Sequence, residues 1–449
     1  MAKIVPFRAL RYASKVIPDL QKVMAPPYDV ISPTLQEALY ARSSHNIIRL
    51  ILGKTTSADN ENDNRYTRAA DDFARWQADG VLVRDAAPAI YLYDQDYILE
   101  DGTAVCRKGF IALTRIEDFS SGVVKPHEKT LAGPKADRLH LTKACSANFS
   151  PIFSLYADPC CVIESFSKRE KERTPEIDVV DDDGVRHRLW CATAPELIDK
   201  ARELLDSKPL FIADGHHRYE TALNYRNLRR AAEPGFNGRE LYNYVLMYFA
   251  NMEDQGMLIF PTHRLLHGLA NFQLENLLAG LAEHFTIDAQ PIDSNDAAQR
   301  RQARQMLAEK GKNGHAIACY AGGKTLYYLT LKDEAVMNRF FDVRAPKALR
   351  TLDVSILHRL ILENLLSVSL EAQEQQTNLK YVKGFDDPFE LVQKGECQLA
   401  FLMNATRMSE VRDVANAGEK MPQKSTYFYP KLLSGLVISK IFTGETVVD

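Results

Sequence analysis

PLFIADGHHRYETALNYRNLRRAA, residues 209–232, sets a short apolar run against an Asp-Gly pair and then places Tyr219, Ala222 and Leu223 on one helical face. The period changes from strand to helix across Asp214-Gly215, so the stretch is expected to be a strand, a tight turn and a helix. APELIDKARELLDSK, residues 194–208, leads into it with apolar residues at helical spacing. Upstream, AIYLYDQDY, KGFIALTRI, SPIFSLYA, IDVV and VRHRLW, all between residues 89 and 190, favour strands. Asp181-Asp182-Asp183-Gly184 lies between the last two and reads as a hairpin turn, not a metal site. Downstream, LYNYVLMYFANM (241–252) reads as a strand, and the Gly322-Gly323 pair predicts a hairpin between HAIACY and KTLYYLTL. LDVSILHRLILENLL (352–366) has helical spacing, and CQLAFLMNAT (397–406) is strand-like. Interleaved strands and helices imply an α/β (α+β) class with a mixed sheet.

The chain has 449 residues, longer than one hydrophobic core usually grows, so two lobes are expected, over 1–235 and 236–449. At the N-terminus, Ser32 is placed to cap a helix whose first residue is Pro33, and Pro26-Pro27 makes APPYDVIS a stiff loop presenting Tyr28 and Asp29. With 45% hydrophobic and 26% charged residues and a net charge of −3, the chain has no general attraction for nucleic acid or anionic lipid. No stretch has signal-peptide or membrane-spanning length, so a cytoplasmic protein with no nucleic-acid or membrane partner is expected. The seven cysteines show no CxxC or zinc-type spacing and are expected to be reduced.

Chemistry concentrates at the opening stretch. A strand ending in Asp214-Gly215 and running into a helix aims free backbone N–H groups, and the positive end of the helix dipole, at whatever lies before the turn. Gly215 admits close approach, His216 and His217 can donate, and Arg218 offers a fork for phosphate oxygens. Adjacent helical histidines project about 100° apart, which argues against zinc and for an anion.

Three further clusters bear on the site. VVKPHEKTLAGPKADRL resembles a zinc-protease HExxH only at its start, because position 131 is Leu. It leaves Glu128 as a general base or Mg²⁺ ligand, among Lys125, Lys129, Lys135 and Arg138 in a loop containing Gly and Pro. FPTHRLLH contains Thr262, His263 and Arg264, where His263 serves equally well as a structural residue or a ligand. MPQKSTYFYPKL brings Lys424 and Ser425 together, a pair suited to phosphate but lacking the glycines of a P-loop. No GxSxG, GxGxxG or kinase-type motif set is present.

PFRAL, APPYDVIS, NIIRLILG, PHEKT, DRL, ADGHHRYETAL, PTHR, LDVSILH and MPQKSTYFYPKL occur in the order found in the DUF1015 family, which the chain resembles over nearly its whole length. The DGHHR turn is also similar to the phosphate-binding motif of the ParB/sulfiredoxin superfamily, one branch of which phosphorylates free L-serine. That resemblance implies a ParB/sulfiredoxin-like nucleotide-binding core over about 1–55 and 205–230, interrupted by a strand-rich insertion and followed by a C-terminal α+β lobe. It maps Gly215, His216, His217 and Arg218 onto the phosphate-binding turn and Asp214 onto its mouth. The expected activity is phosphoryl transfer from a nucleotide (ATP or ADP) with Mg²⁺ to a small hydroxyl metabolite, free serine among the candidates. In it Glu128, Asp214 and His216 are catalytic, Lys129, Lys424 and Ser425 assist phosphate binding, and Glu128 holds the metal. A nucleotide-binding switch without turnover, or a phosphatase, would use the same turn.

Overall fold

The computed structural model describes residues 2–99, 101–128, 130 and 132–447, and the chain divides into two compact units. The first comprises residues 1–126, 130–258 and 430–449, and the second residues 127–129 and 259–429. The first therefore runs beyond residue 235 and takes back the chain's last twenty residues.

The first unit is built on a ten-stranded sheet. Its spatial order is Ile177–Val180, Arg186–Ala192, Ile90–Ile98, Gly109–Arg115, Tyr244–Asn251, Ile152–Tyr156, Leu210–Asp214 and Val124–Lys125, with Ile4–Val5 and Ala104–Arg107 paired at the side. Tyr244–Asn251 is parallel to Ile152–Tyr156, Leu210–Asp214 is parallel to Val124–Lys125, and the other pairings are antiparallel. The sheet is thus mixed, as the interleaved pattern predicts. All eight residues of Tyr244–Asn251 are buried, which accounts for the unbroken apolar run of this central strand. Alternate residues Val245, Met247 and Phe249 join Ile90, Leu92, Phe110, Ile212 and Tyr219 in one core cluster. This core fixes the end of the strand Leu210–Asp214 and the start of the helix His216–Ala232.

Local signals account for several elements. Ser32 accepts from Leu35 N at 3.2 Å and Pro33 opens the helix Pro33–Arg42. Asp181 Oδ1 accepts from Asp183 N and Val185 N, closing the hairpin between Ile177–Val180 and Arg186–Ala192. The segment carrying Lys135 and Arg138 differs from the loop expected: it is a helix, Ala132–Cys145. Gly133 and Pro134 lie in its first turn, where a missing N–H costs no helical bond, so they do not break it.

The second unit contains a six-stranded antiparallel sheet in the order Phe285–Pro291, Thr325–Leu331, Ala316–Tyr320, Leu399–Met403, His263–Leu266, Leu379–Val382. Leu266, Leu399 and Phe401 pack in one cluster, while Leu265, Ala400 and Leu402 pack in another. Both faces are covered, which explains why CQLAFLM shows no polar alternation. None of the seven cysteines forms a disulfide, and no helix among the described residues is long and apolar enough to cross a membrane.

Candidate functional site

Gly215 is the pivot of the turn. It has φ 91° and ψ 29°, in the left-handed region, and precedes the seventeen-residue helix His216–Ala232. A Cβ at this position would also lie 2.9 Å from Arg218 Cζ and Nε. Gly215→Ala is therefore expected to lose about 1–2 kcal/mol from the backbone alone and to push the guanidinium aside. Urea denaturation of the variant checks this, with an unchanged midpoint as the contrary result. His216 is buried at 5% exposure and His217 is half-buried.

Asp214 holds two cations. Arg218 Nη2 donates to its Oδ2 and Lys431 Nζ to its Oδ1, both at 2.5 Å, and the three side chains are 13–15% exposed. Arg218 Nη1 also donates to Pro151 O, while Arg218 Nε is buried with no hydrogen-bond partner among the described residues. Burial pushes the Asp214 carboxyl up, but Lys431 and Arg218 outweigh it and leave the group well below the ordinary carboxylate range. A carboxylate so depressed is a weak proton acceptor at neutral pH. Because its folded pKa is lowered, Asp214 contributes stability that is present above the ordinary Asp value of about 4 and is lost as pH falls from there toward the folded value. Acid melting curves of the wild type and Asp214→Asn should therefore converge below about pH 4.

Lys431 reaches Asp214 from the C-terminal segment of the same unit. Arg107, fully buried, donates from Nη2 to Pro430 O at 2.5 Å, and Gln95 Nε2 donates to Lys431 O at 2.9 Å. No local feature of the sequence marks Lys431, Arg107 or Gln95 as belonging to the site.

Against the first two turns of the helix His216–Ala232 lies a cavity of about 60 Å³, whose lining includes Tyr28, Arg138, Thr142, Ser150, Arg218 and Thr221. A single water needs about 10–15 Å³ on this measure, so the space suits a group of a few heavy atoms, such as a phosphoryl, and excludes a whole nucleotide. Arg138 is 8% exposed, donates to Ile51 O at 2.7 Å and lies 4.0 Å from the Tyr28 ring centroid. Burial, then Asp29, pushes the Tyr28 phenol up to about 12, so it remains a neutral donor. Stretches far apart in sequence, APPYDVIS, DRL and ADGHHRYETAL, thus contribute polar groups to one small cavity of mixed lining.

Glu128, Lys424 and Ser425 belong to the second unit, where Lys424 N donates to Glu128 Oε1 at 3.2 Å. Ser425 is 5% exposed and its hydroxyl donates to Pro422 O at 2.5 Å. Lys129 lies outside the described residues. Among the described residues no group of three or more His, Cys, Asp or Glu side chains converges as a metal cage. Mg²⁺ is commonly held by one or two carboxylates together with substrate phosphates, and Glu128 as a lone ligand fits that pattern. His263 is buried, and its Nδ1 accepts from Met403 N at 3.0 Å. Burial, then Arg264, lowers the His263 ring to about 3, which makes it a neutral structural residue.

A family model described as "Protein of unknown function (DUF1015)" matches residues 4–355. Among solved structures, a free serine kinase in complex with AMP aligns at 14% identity and a TM-score of 0.34, covering 68% of this chain and 83% of that one. A conserved hypothetical protein from Pyrococcus furiosus aligns at 13% identity and 0.33, covering 71% and 94%. SbnI from Staphylococcus aureus, truncated at its C-terminus, aligns at 10% identity and 0.31, covering 73% and 86%. No curated protein matches the sequence.

Proposed function

The chain belongs to the DUF1015 family, and we propose that it is a nucleotide-dependent phosphotransferase whose phosphate cradle is the turn at Gly215 and the small cavity beside it. The observation that carries this reading is the meeting of Arg138, Arg218, Tyr28 and Thr221 around a space of phosphoryl size against the first two turns of the helix His216–Ala232. The unmet Arg218 Nε adds a buried donor to that set.

In the proposed reaction the acceptor hydroxyl oxygen attacks the terminal phosphorus, the bond to the nucleotide's bridging oxygen breaks, and the hydroxyl proton passes to a carboxylate. Asp214 is held ionised by two cations and is better suited to position Arg218 and Lys431 than to accept that proton. Arg218, Arg138, the turn amides and His216 would hold the phosphate, and phosphoryl transfer needs little beyond such positioning and charge. Serine is the first acceptor to test.

Phosphorus NMR of the purified chain with ATP, ADP or CTP, with and without serine, tests the proposal. Nucleotide consumption that depends on an added hydroxyl acceptor is the expected outcome, and the choice of Glu128 as base, made from the sequence, is tested by an expected slowing of about 10²–10⁴-fold in Glu128→Gln. Arg218→Ala should weaken nucleotide binding by about 1.5–3 kcal/mol, the scale of a lost hydrogen bond to a charged group. Unaltered affinity in that variant would remove Arg218 from the site.

One observation favours a second reading, a nucleotide-responsive switch. Asp214 already occupies both Arg218 and Lys431, so an incoming phosphate competes with an internal carboxylate. Binding without turnover, accompanied by faster proteolysis near Lys431, would support the switch over the transferase.

A further inference from the structure

The phosphate reading leaves one large cavity of the second unit unused. Its volume is about 580 Å³, within the range of small-molecule sites. The lining includes three aromatic rings, Phe340, Phe341 and Tyr381, and three polar side chains, Ser355, His358 and Gln373. One of the polar groups is orphaned: Ser355 Oγ is buried with no hydrogen-bond partner among the described residues. A buried hydroxyl or amide oxygen left unmet is costly, and in native proteins it calls for an unrecorded water or ligand.

The backbone under these residues is also unusual. The helix that starts at Asp353–Ile356 continues as a nine-residue π-helix, Leu357–Leu365, which carries His358. Such segments are rare and concentrate at functional sites.

Charge points the same way. Arg264, the buried arginine of PTHR, is 1% exposed and donates to Thr262 O, to Lys424 O at 2.9 Å and to His358 Nε2 at 3.4 Å. None of its recorded partners is a carboxylate, and burial lowers its guanidinium to about 10. Burial, then Arg264, lowers the His358 ring to about 3. His358 is therefore neutral and, with Nε2 accepting from Arg264, carries its proton on Nδ1. On the rim of the cavity Arg344 pairs with Asp342 at 2.9 Å and Arg359 with Glu363 at 2.8 Å. The buried cation next to the cavity is Arg264, in contact with His358.

We propose that this cavity is a second ligand site that takes a small metabolite with an aromatic body and one oxyanion, the ring among Phe340, Phe341 and Tyr381 and the oxyanion on Ser355 and His358. The class follows from the lining: aromatic rings stack on an aromatic body, and a buried cation without a carboxylate partner favours a single negative charge over a neutral ligand. Recognition of either a carboxylate or a phosphate would use the same hydroxyl and imidazole donors.

Fluorine NMR titration of the full chain with para-fluorobenzoate, para-fluorophenyl phosphate and the neutral para-fluorobenzyl alcohol tests the site and separates the two oxyanions. At least one anionic probe is expected to bind saturably, and at least about tenfold more tightly than the alcohol. Ser355→Ala should weaken that probe by about tenfold while melting like the wild type, since it removes a hydroxyl that has no protein partner. Arg218→Ala, in the first unit, should leave probe binding unchanged. Any of four results overturns the proposal: no probe binds in the millimolar range, the alcohol binds as tightly as both anions, Ser355→Ala leaves binding unchanged, or Arg218→Ala abolishes it.

Discussion

A chain ended at Tyr429 is expected to lose the fold of its first unit. Residues 430–449 belong to that unit and bury Leu432, Leu433, Leu436, Val437, Ile438 and Ile441, each at 7% exposure or less. At about 1.5–3 kcal/mol for each buried aliphatic side chain, their loss is as large as the roughly 5–15 kcal/mol that holds a typical domain together. The segment is also tied by its backbone: Leu10 and Ile438 exchange bonds at 2.9 and 3.0 Å, Ser434 N donates to Ala25 O at 2.8 Å, and Ile441 N to Ser146 O at 2.7 Å. Truncation would leave the buried Arg107 without Pro430 O, and Asp214 without Lys431. Circular dichroism and differential scanning calorimetry of the truncated chain should show the main transition gone. A melt at the wild-type temperature would mean that the segment is an appendage and that Lys431 is dispensable to the turn.

This dependence marks where the sequence stops being legible. The strand and helix around Asp214-Gly215 could be read because each is local: four apolar residues, a glycine able to take positive φ, then Tyr219 and Ala222 at helical spacing. The hairpins at Asp181–Gly184 and Gly322-Gly323 were legible for the same reason. Lys431 was not, since it meets Asp214 across 217 positions and its neighbours carry no sign of a charged partner. Arg138 was legible as a cation near Glu128 but not as a cavity residue, because Gly133 and Pro134 suggested a loop where the chain forms a helix. Ser425 shows the converse. Its place beside Lys424 suits phosphate, yet in the structure its hydroxyl donates to Pro422 O. Local pattern reports which groups are available, and only the tertiary pairing reports which are already engaged.

Asp214→Ala is expected to separate the stability of the turn from its affinity for anions. Removing the carboxylate leaves Arg218 and Lys431, each about 13% exposed, facing each other without their shared counter-charge. Breaking a buried pair in this way costs about 3–5 kcal/mol, which should appear as a clear fall in the denaturation midpoint. Phosphate or a nucleotide should recover part of the loss, because an anion at the turn replaces the missing charge and binds only the folded state. The variant should therefore be less stable than the wild type yet show a larger thermal shift on adding phosphate. An Asp214→Ala protein that is destabilised and indifferent to phosphate would instead leave Asp214 as a structural counter-ion and remove Arg218 and Lys431 from the phosphate site.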